Sequence, residues 1–196
     1  MSGLFIVFEG LDGSGLSTQA NLLRNYLADK GRVVILTKEQ TDGSIGGLIK
    51  SSLRDEWKTS PLALQLLFAA DRAHHLASEI EPALNEDKII ICDRYVLSSL
   101  AFGSLNLDLE FMKAMNSKFR EPDLTFIIDT EPKECLERIK KSRFHLELFE
   151  DEKKFTEIRK NFLLIKDMYA NMYIIDGNRK IEEVFDDIKK IVNKVL

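Results

Sequence analysis

The chain has 196 residues, enough for one full α/β domain and short for two. It is 44% hydrophobic and 31% charged with a net charge of -4, a composition that folds and dissolves but argues against a protein that coats nucleic acid. Any charge that meets phosphate must therefore be local. No run approaches the roughly 18 apolar residues that span a bilayer. The start of the chain lacks the basic segment and long apolar stretch of a secretion signal. The cytoplasm is the expected location, with no membrane partner.

In chain order, Phe5-Ile6-Val7-Phe8 is an apolar run short enough for a buried parallel strand. Glu9 follows, then a loop with glycine at Gly10, Gly13 and Gly15, then Ser17-Thr18. From Gln19 the residues Ala20, Leu22, Leu23, Tyr26 and Leu27 recur at helical spacing, which predicts a helix from about Ser17 to Lys30 with Gly31 as its stop. Gly10-Leu11-Asp12-Gly13-Ser14-Gly15-Leu16-Ser17 fits G-x-x-x-x-G-K-[ST] at every fixed position except the lysine, which is Leu16. Glycines let backbone N–H groups converge on phosphate oxygens, and the helix start adds its own unpaired N–H groups. The stretch reads as a nucleotide site without its usual cation.

Val33 to Leu36 is a second buried strand, and Lys38 to Gly43 a polar loop beyond its carboxyl end. Gly46 to Leu53 is a short helix. Ser60-Pro61 reads as an N-cap with proline at the first helical position, opening a long helix to about Leu84. Its apolar face is Leu64, Leu67, Phe68 and Ala70; on spacing alone, Arg72 is a solvated charge. Ile89 to Cys92 is a third strand and runs into Asp93-Arg94-Tyr95. An acid at a strand's carboxyl end is where a phosphate-loop protein carries a magnesium-organising carboxylate. Helices follow over Val96 to Gly103 and Asp108 to Lys118, and Leu124 to Asp129 is a fourth strand. Glu134 to Lys141 is helical; Ser142 to Glu150 has no clean period; Asp151 to Met172 reads as a long helix. Tyr173 to Asp176 is a fifth strand, Gly177-Asn178 a turn, and Ile181 to Val195 a closing helix. Cys92 and Cys135 lie in apolar contexts and read as core residues.

Five strands alternating with helices predict an α/β fold, a five-stranded parallel sheet with helices on both faces. Right-handed crossovers collect the loops after the strands along one rim. That rim gathers Asp12 to Ser17, Lys38-Glu39, Asp93-Arg94 and Asn178.

Five stretches resemble the thymidylate kinase family of phosphate-loop nucleoside monophosphate kinases. They are FEGLDGSG from Phe8, TKE from Thr37, LLFAADRAHHL from Leu66, DRYVLSSLAF from Asp93 and PDLTFIIDT from Pro122. The resemblance spans nearly the whole chain. It implies the P-loop nucleotide kinase fold in one domain over residues 1–196, with a mobile lid at about 138–150. It implies transfer of the γ-phosphate of ATP to dTMP, giving dTDP and ADP, with Mg²⁺ and a homodimer.

Residue by residue, it implies that Gly10, Leu11, Asp12, Gly13, Ser14, Gly15, Leu16, Ser17 and Thr18 hold the ATP phosphates, with Asn178 also on the ATP side. Ser17 and Asp93 would serve Mg²⁺. Asp12 would face the acceptor's sugar and phosphate, and Arg94 would clamp that phosphate, with Lys38 and Glu39 beside it. Phe68 would stack on thymine, Arg72 would donate to its carbonyl, Tyr95 would favour deoxyribose, and Ser98 and Phe102 would line the pocket. Arg138 and Arg143 would bring lid charge, and could replace what Leu16 lacks. Lys38 stands where the family usually has arginine, and Gln40 where it has proline. Glu147-Leu148 stands where the lid commonly has Asp-Arg, and Gly103 where bacterial members often have glutamine against the base. Leu16 leaves open a nucleotide-binding homologue with little catalysis. Gly103 leaves open a deoxynucleoside monophosphate kinase of relaxed base choice.

Overall fold

The structure is a computed structural model, and the residues it describes are 3–142 and 151–196. The five apolar runs become strands β1 (Leu4–Gly10), β2 (Val34–Lys38), β3 (Ile89–Asp93), β4 (Leu124–Asp129) and β5 (Met172–Asp176). They form one sheet in the order β2-β3-β1-β4-β5, and every pairing is parallel. The period of two along a strand divides β1 between two cores. Phe5 and Val7 join one apolar cluster, and Ile6 and Phe8 the other. Both sheet faces are therefore covered, as runs without alternation require.

The first cluster packs against helices α5 (Val96–Gly103), α6 (Leu109–Asn116), α7 (Pro132–Ser142) and α8 (Glu152–Leu164). The second packs against α1 (Leu16–Asp29) and α9 (Ile181–Val192). A third, smaller cluster joins α2 (Ser44–Leu53) to α3 (Pro61–His75) through Ile49, Leu53 and Leu64. Ser60 caps α3 as its sequence suggests, its Oγ accepting from Ala63 N at 3.1 Å. Both cysteines are buried and free.

Two elements differ from expectation. The long helix after Pro61 widens into a π turn over Leu76–Ile80 before α4 (Glu81–Asn85). The segment from Asp151 leaves the helix at Leu164, not Met172. Sheet pairing wins there: Thr125 N donates to Asn171 O at 2.9 Å, which starts β5 beside β4. Helical periodicity carries no sign of that long-range partner.

Register is what builds the site. Phe8 of β1 and Lys38 of β2 both stand opposite Asp93 of β3, and Gly10 stands opposite Ile128 of β4. The carboxyl ends of three neighbouring strands thus close on one rim. In open parallel sheets that rim is where ligands bind.

Candidate active site

The turn from β1 to α1 is shaped by close approach. Gly13 has φ 77°, and a Cβ there would lie 2.5 Å from the carbonyl oxygen of Cys135 on α7. Gly10 has φ 152°, and its Cβ would lie 2.7 Å from Ile128 O. Only glycine fits either place. α1 has Gly15 at its N-cap, with no side-chain cap and no acid in its first turn. By contrast α3, α6 and α8 are capped by Ser60, Asp108 and Asp151. The first-turn N–H groups of α1 are left for an anion.

Leu16 does not point a substitute group into this turn. It is 5% exposed and belongs to the core cluster with Ile128 and Val184. Arg138 of α7 brings a cation against the turn from the other side to Arg94. Its Nη1 donates to Ser14 O at 3.4 Å and its Nη2 to Gly177 O at 3.2 Å, with Glu134 holding Nε at 2.9 Å. Arg143 and the rest of the stretch 143–150 lie outside the described residues.

Ser17, the second residue of α1, donates its hydroxyl to Asp93 Oδ2 at the end of β3. These two oxygen groups meet because β1 and β3 are neighbours in register. Among the described residues no cluster of three or more His, Cys, Asp or Glu could hold a metal alone. Two hard oxygen ligands beside a phosphate cradle suit Mg²⁺, which takes one or two protein ligands and completes its shell with phosphate and water.

Arg94 turns the chain from β3 into α5 through a left-handed backbone, φ 74°. Its N–H donates to Phe8 O at 2.8 Å. Its guanidinium reaches back to Gly10 O at 2.8 Å, Ser98 Oγ at 3.1 Å and Asp12 Oδ1 at 2.6 Å. Burial works against its charge, but the carboxylates of Asp12, Asp93 and Glu9 outweigh burial and raise its pKa further. Beneath it, Glu9 is fully buried, accepting from Tyr95 N at 3.0 Å and from the Ser98 hydroxyl. Burial pushes the Glu9 carboxyl up to about 7, with Ser98 and Arg94 pulling the other way. Glu9 has no role in the sequence reading, although an acid ending an apolar strand is the same signal that marks Asp93.

A second buried pocket lies between α3 and α5. Arg72 is 1% exposed, so it is no solvated charge. Its Nε donates to Glu39 Oε2 at 2.8 Å, Nη1 to Asn116 Oδ1 at 2.6 Å, and Nη2 to Tyr95 O and Ser99 Oγ, both at 3.0 Å. Of its five N–H groups, one on Nη1 has no acceptor among the described residues. Glu39 is itself spent on Arg72 and on His75 Nδ1 at 3.3 Å, so it supports the site more than it offers a free carboxylate. Lys38 stays largely solvent-exposed, 3.7 Å from Asp42. Phe68 is half-buried over the α2–α3 cluster. Tyr95 is buried with its hydroxyl unpartnered among the described residues.

One cavity of about 660 Å³ runs from the glycine turn to this pocket, touching Asp12, Ser17, Arg94, Arg138, Phe68, Arg72, Ser98 and Phe102. Nearly every sequence-predicted residue lies along it. Gly10 closes the turn behind it, and Asn178 does not line it. The cavity wall carries Gly177 and Arg179 instead. The Asn178 side chain is used in its own turn, accepting from Glu131 N at 2.9 Å and donating to Asp176 Oδ1 at 2.8 Å. Gln65, Ser99, Asn116 and Arg179 were missed. Gln65 alone had a local signal, sharing a helix face with Phe68 and Arg72 at i, i+3 and i+7.

A central strand opening into an uncapped glycine turn, with a second pocket on the same rim of a β2-β3-β1-β4-β5 sheet, defines a phosphate-loop nucleotide kinase. A family model described as thymidylate kinase matches residues 8–188. A probable thymidylate kinase of Pyrococcus horikoshii is 43% identical, covering 100% of this chain and 98% of its own. One from Pyrococcus abyssi is 41% identical over 100% and 98%, and a thymidylate kinase of Acholeplasma laidlawii 37% over 98% and 100%. The chain belongs to the thymidylate kinase family, and so to the ATP-dependent nucleoside monophosphate kinases.

Proposed function

We propose that the chain transfers the γ-phosphoryl group of ATP to the 5′-phosphate of dTMP, giving dTDP and ADP. The observation that carries this is the single cavity that joins the glycine turn to the Phe68–Arg72 pocket. Donor and acceptor can meet in it side by side.

In this reading the N–H groups of Gly13 to Thr18 wrap the donor's phosphates. Ser17 and Asp93 would hold Mg²⁺, which would neutralise charge on the donor's phosphates when bound. Arg94, fixed by Asp12 and Gly10 O, grips the acceptor phosphate and aligns its attacking oxygen. Arg138, resting on Ser14 O, supplies the charge that Leu16 cannot. Phe68 gives the thymine ring a flat apolar face, and the unpaired Nη1 hydrogen of Arg72 meets a ring carbonyl. Tyr95 crowds the sugar. The chemistry is positioning and charge neutralisation, which asks no covalent step of the protein.

Apolar residues exposed on α3, Leu62 and Leu66, support a homodimer in the same proposal. Among the described residues no helix is long and apolar enough to cross a membrane. The test is ADP release coupled to an indicator reaction, with dTMP, dUMP, dCMP, dGMP and UMP as acceptors. Turnover greatest with dTMP is expected; nucleotide binding without turnover on any acceptor would make the chain a non-catalytic homologue.

A further inference from the structure

Gln65 is buried on α3, one turn before Phe68, with 3% of its surface exposed. It lines the cavity beside Phe68, Arg72 and Ser99. Its Oε1 is buried with no hydrogen-bond partner, and neither end of the carboxamide is bonded to a described residue. A buried amide left this way is costly unless something else satisfies it. Gly103 of α5 makes its seat: a Cβ there would lie 3.0 Å from Gln65 Cδ and 2.5 Å from Met112 Cε. The side chain therefore occupies room that any other residue at 103 would take.

We propose that Gln65 is a specificity-determining residue that reads the imide edge of the acceptor's pyrimidine, an inference that rests on the dTMP reading above. Thymine presents N3–H between two carbonyls. A carboxamide offers an acceptor and a donor side by side, and matches N3–H with one neighbouring carbonyl. The last torsion of glutamine is soft and two-fold, so either end can face the ring. That softness would let Gln65 pair with cytosine as well. Arg72 removes the ambiguity, because a guanidinium only donates and so fits a carbonyl but not an amino group. Gln65 and Arg72 thus divide the work: Gln65 senses N3–H, and Arg72 senses the carbonyl.

The test compares dTMP with N3-methyl-dTMP, which keeps both carbonyls and loses the N3 proton. Gln65→Met keeps length and apolar bulk and removes both hydrogen-bonding ends. KM for dTMP should rise about tenfold and the preference for dTMP over the N3-methyl analogue should fall by about the same factor. KM for ATP and kcat should stay within about twofold, and thermal stability should hold or improve, since an unpartnered amide is lost. Gly103→Ala, which pushes Gln65 off its seat, should shift the preference the same way by less. Unchanged preference in both variants overturns the proposal, as does an equal loss of kcat with both acceptors, which marks a packing role. Calorimetric binding of dTMP without ATP separates this from the reaction itself. A native chain that binds dTMP but never turns it over sinks the kinase reading, while unchanged dTMP affinity in Gln65→Met sinks the role of Gln65.

Discussion

The two halves of the cavity are made of different material. The half proposed for the donor is main chain: a glycine turn and the uncapped start of α1, with few side chains committed to it. The half proposed for the acceptor is side chain: Arg72, Glu39, Asn116, Ser99 and His75 are buried and bonded to one another. A main-chain cradle tolerates a change of side chain, which is how Leu16 can sit where a lysine usually does and still leave the turn intact. A nearly saturated side-chain network tolerates few, because the partner of each member removed is left buried and unpaired.

The sharpest break in this contrast lies where the halves meet. Arg94→Ala removes a guanidinium that touches both Gly10 O and Asp12, and kcat/KM for dTMP should fall on the order of 10³. Steady-state kinetics would show it, and a loss below tenfold would mean that Arg94 is scaffolding only. In the acceptor half, Glu39→Gln leaves Arg72 without its ion-pair partner. Unfolding in urea should show a loss of about 3 kcal/mol. A loss under about 1 kcal/mol would show that the network is looser than its geometry.

In the donor half, Arg138→Ala should lower kcat by about 10- to 100-fold and leave KM for dTMP unchanged. Leu16→Lys in that background should recover part of the loss, its stem lying along the core while its ammonium reaches the turn. No recovery would separate Arg138 from the role of the missing lysine.

The smallest effect is on pH. Burial lifts the folded pKa of Glu9 to about 7 from an ordinary 4.5, so the native state holds a proton that the unfolded chain has released. Stability from this group falls as pH rises from about 4.5 to about 7 and is flat above. Glu9→Gln should flatten that slope, with a difference of roughly 2 kcal/mol between pH 5 and pH 8 in paired urea titrations. Parallel slopes in the two proteins would show that Glu9 is ionised throughout.

Local pattern was enough for all five strands and for the glycine turn, because both are written in consecutive residues. Apolar runs of four to six name a buried strand, and glycine at Gly10, Gly13 and Gly15 names a turn that a Cβ would block. The family motifs pointed to Phe68, Arg72 and Arg94. What pattern reading lacked was every relation between distant segments. It ran the helix after Asp151 on to Met172, since the pairing of Asn171 with Thr125 lies 46 residues away in the chain. The resemblance puts Asn178 on the ATP side, while the fold bonds that side chain within its own turn, to Glu131 N and Asp176 Oδ1.

By itself, then, the order of residues determined the α/β alternation, the phosphate turn and the absence of its lysine, since each follows from sterics and charge within a few neighbours. Only the tertiary structure decided that Leu16 is core, that Arg138 rests on the turn, that Arg72 is buried and nearly spent, and that Gln65 lies unpaired beside Gly103. Burial and hydrogen-bond satisfaction are sums over every segment that packs around a group. They come into being when the sheet brings the segments together.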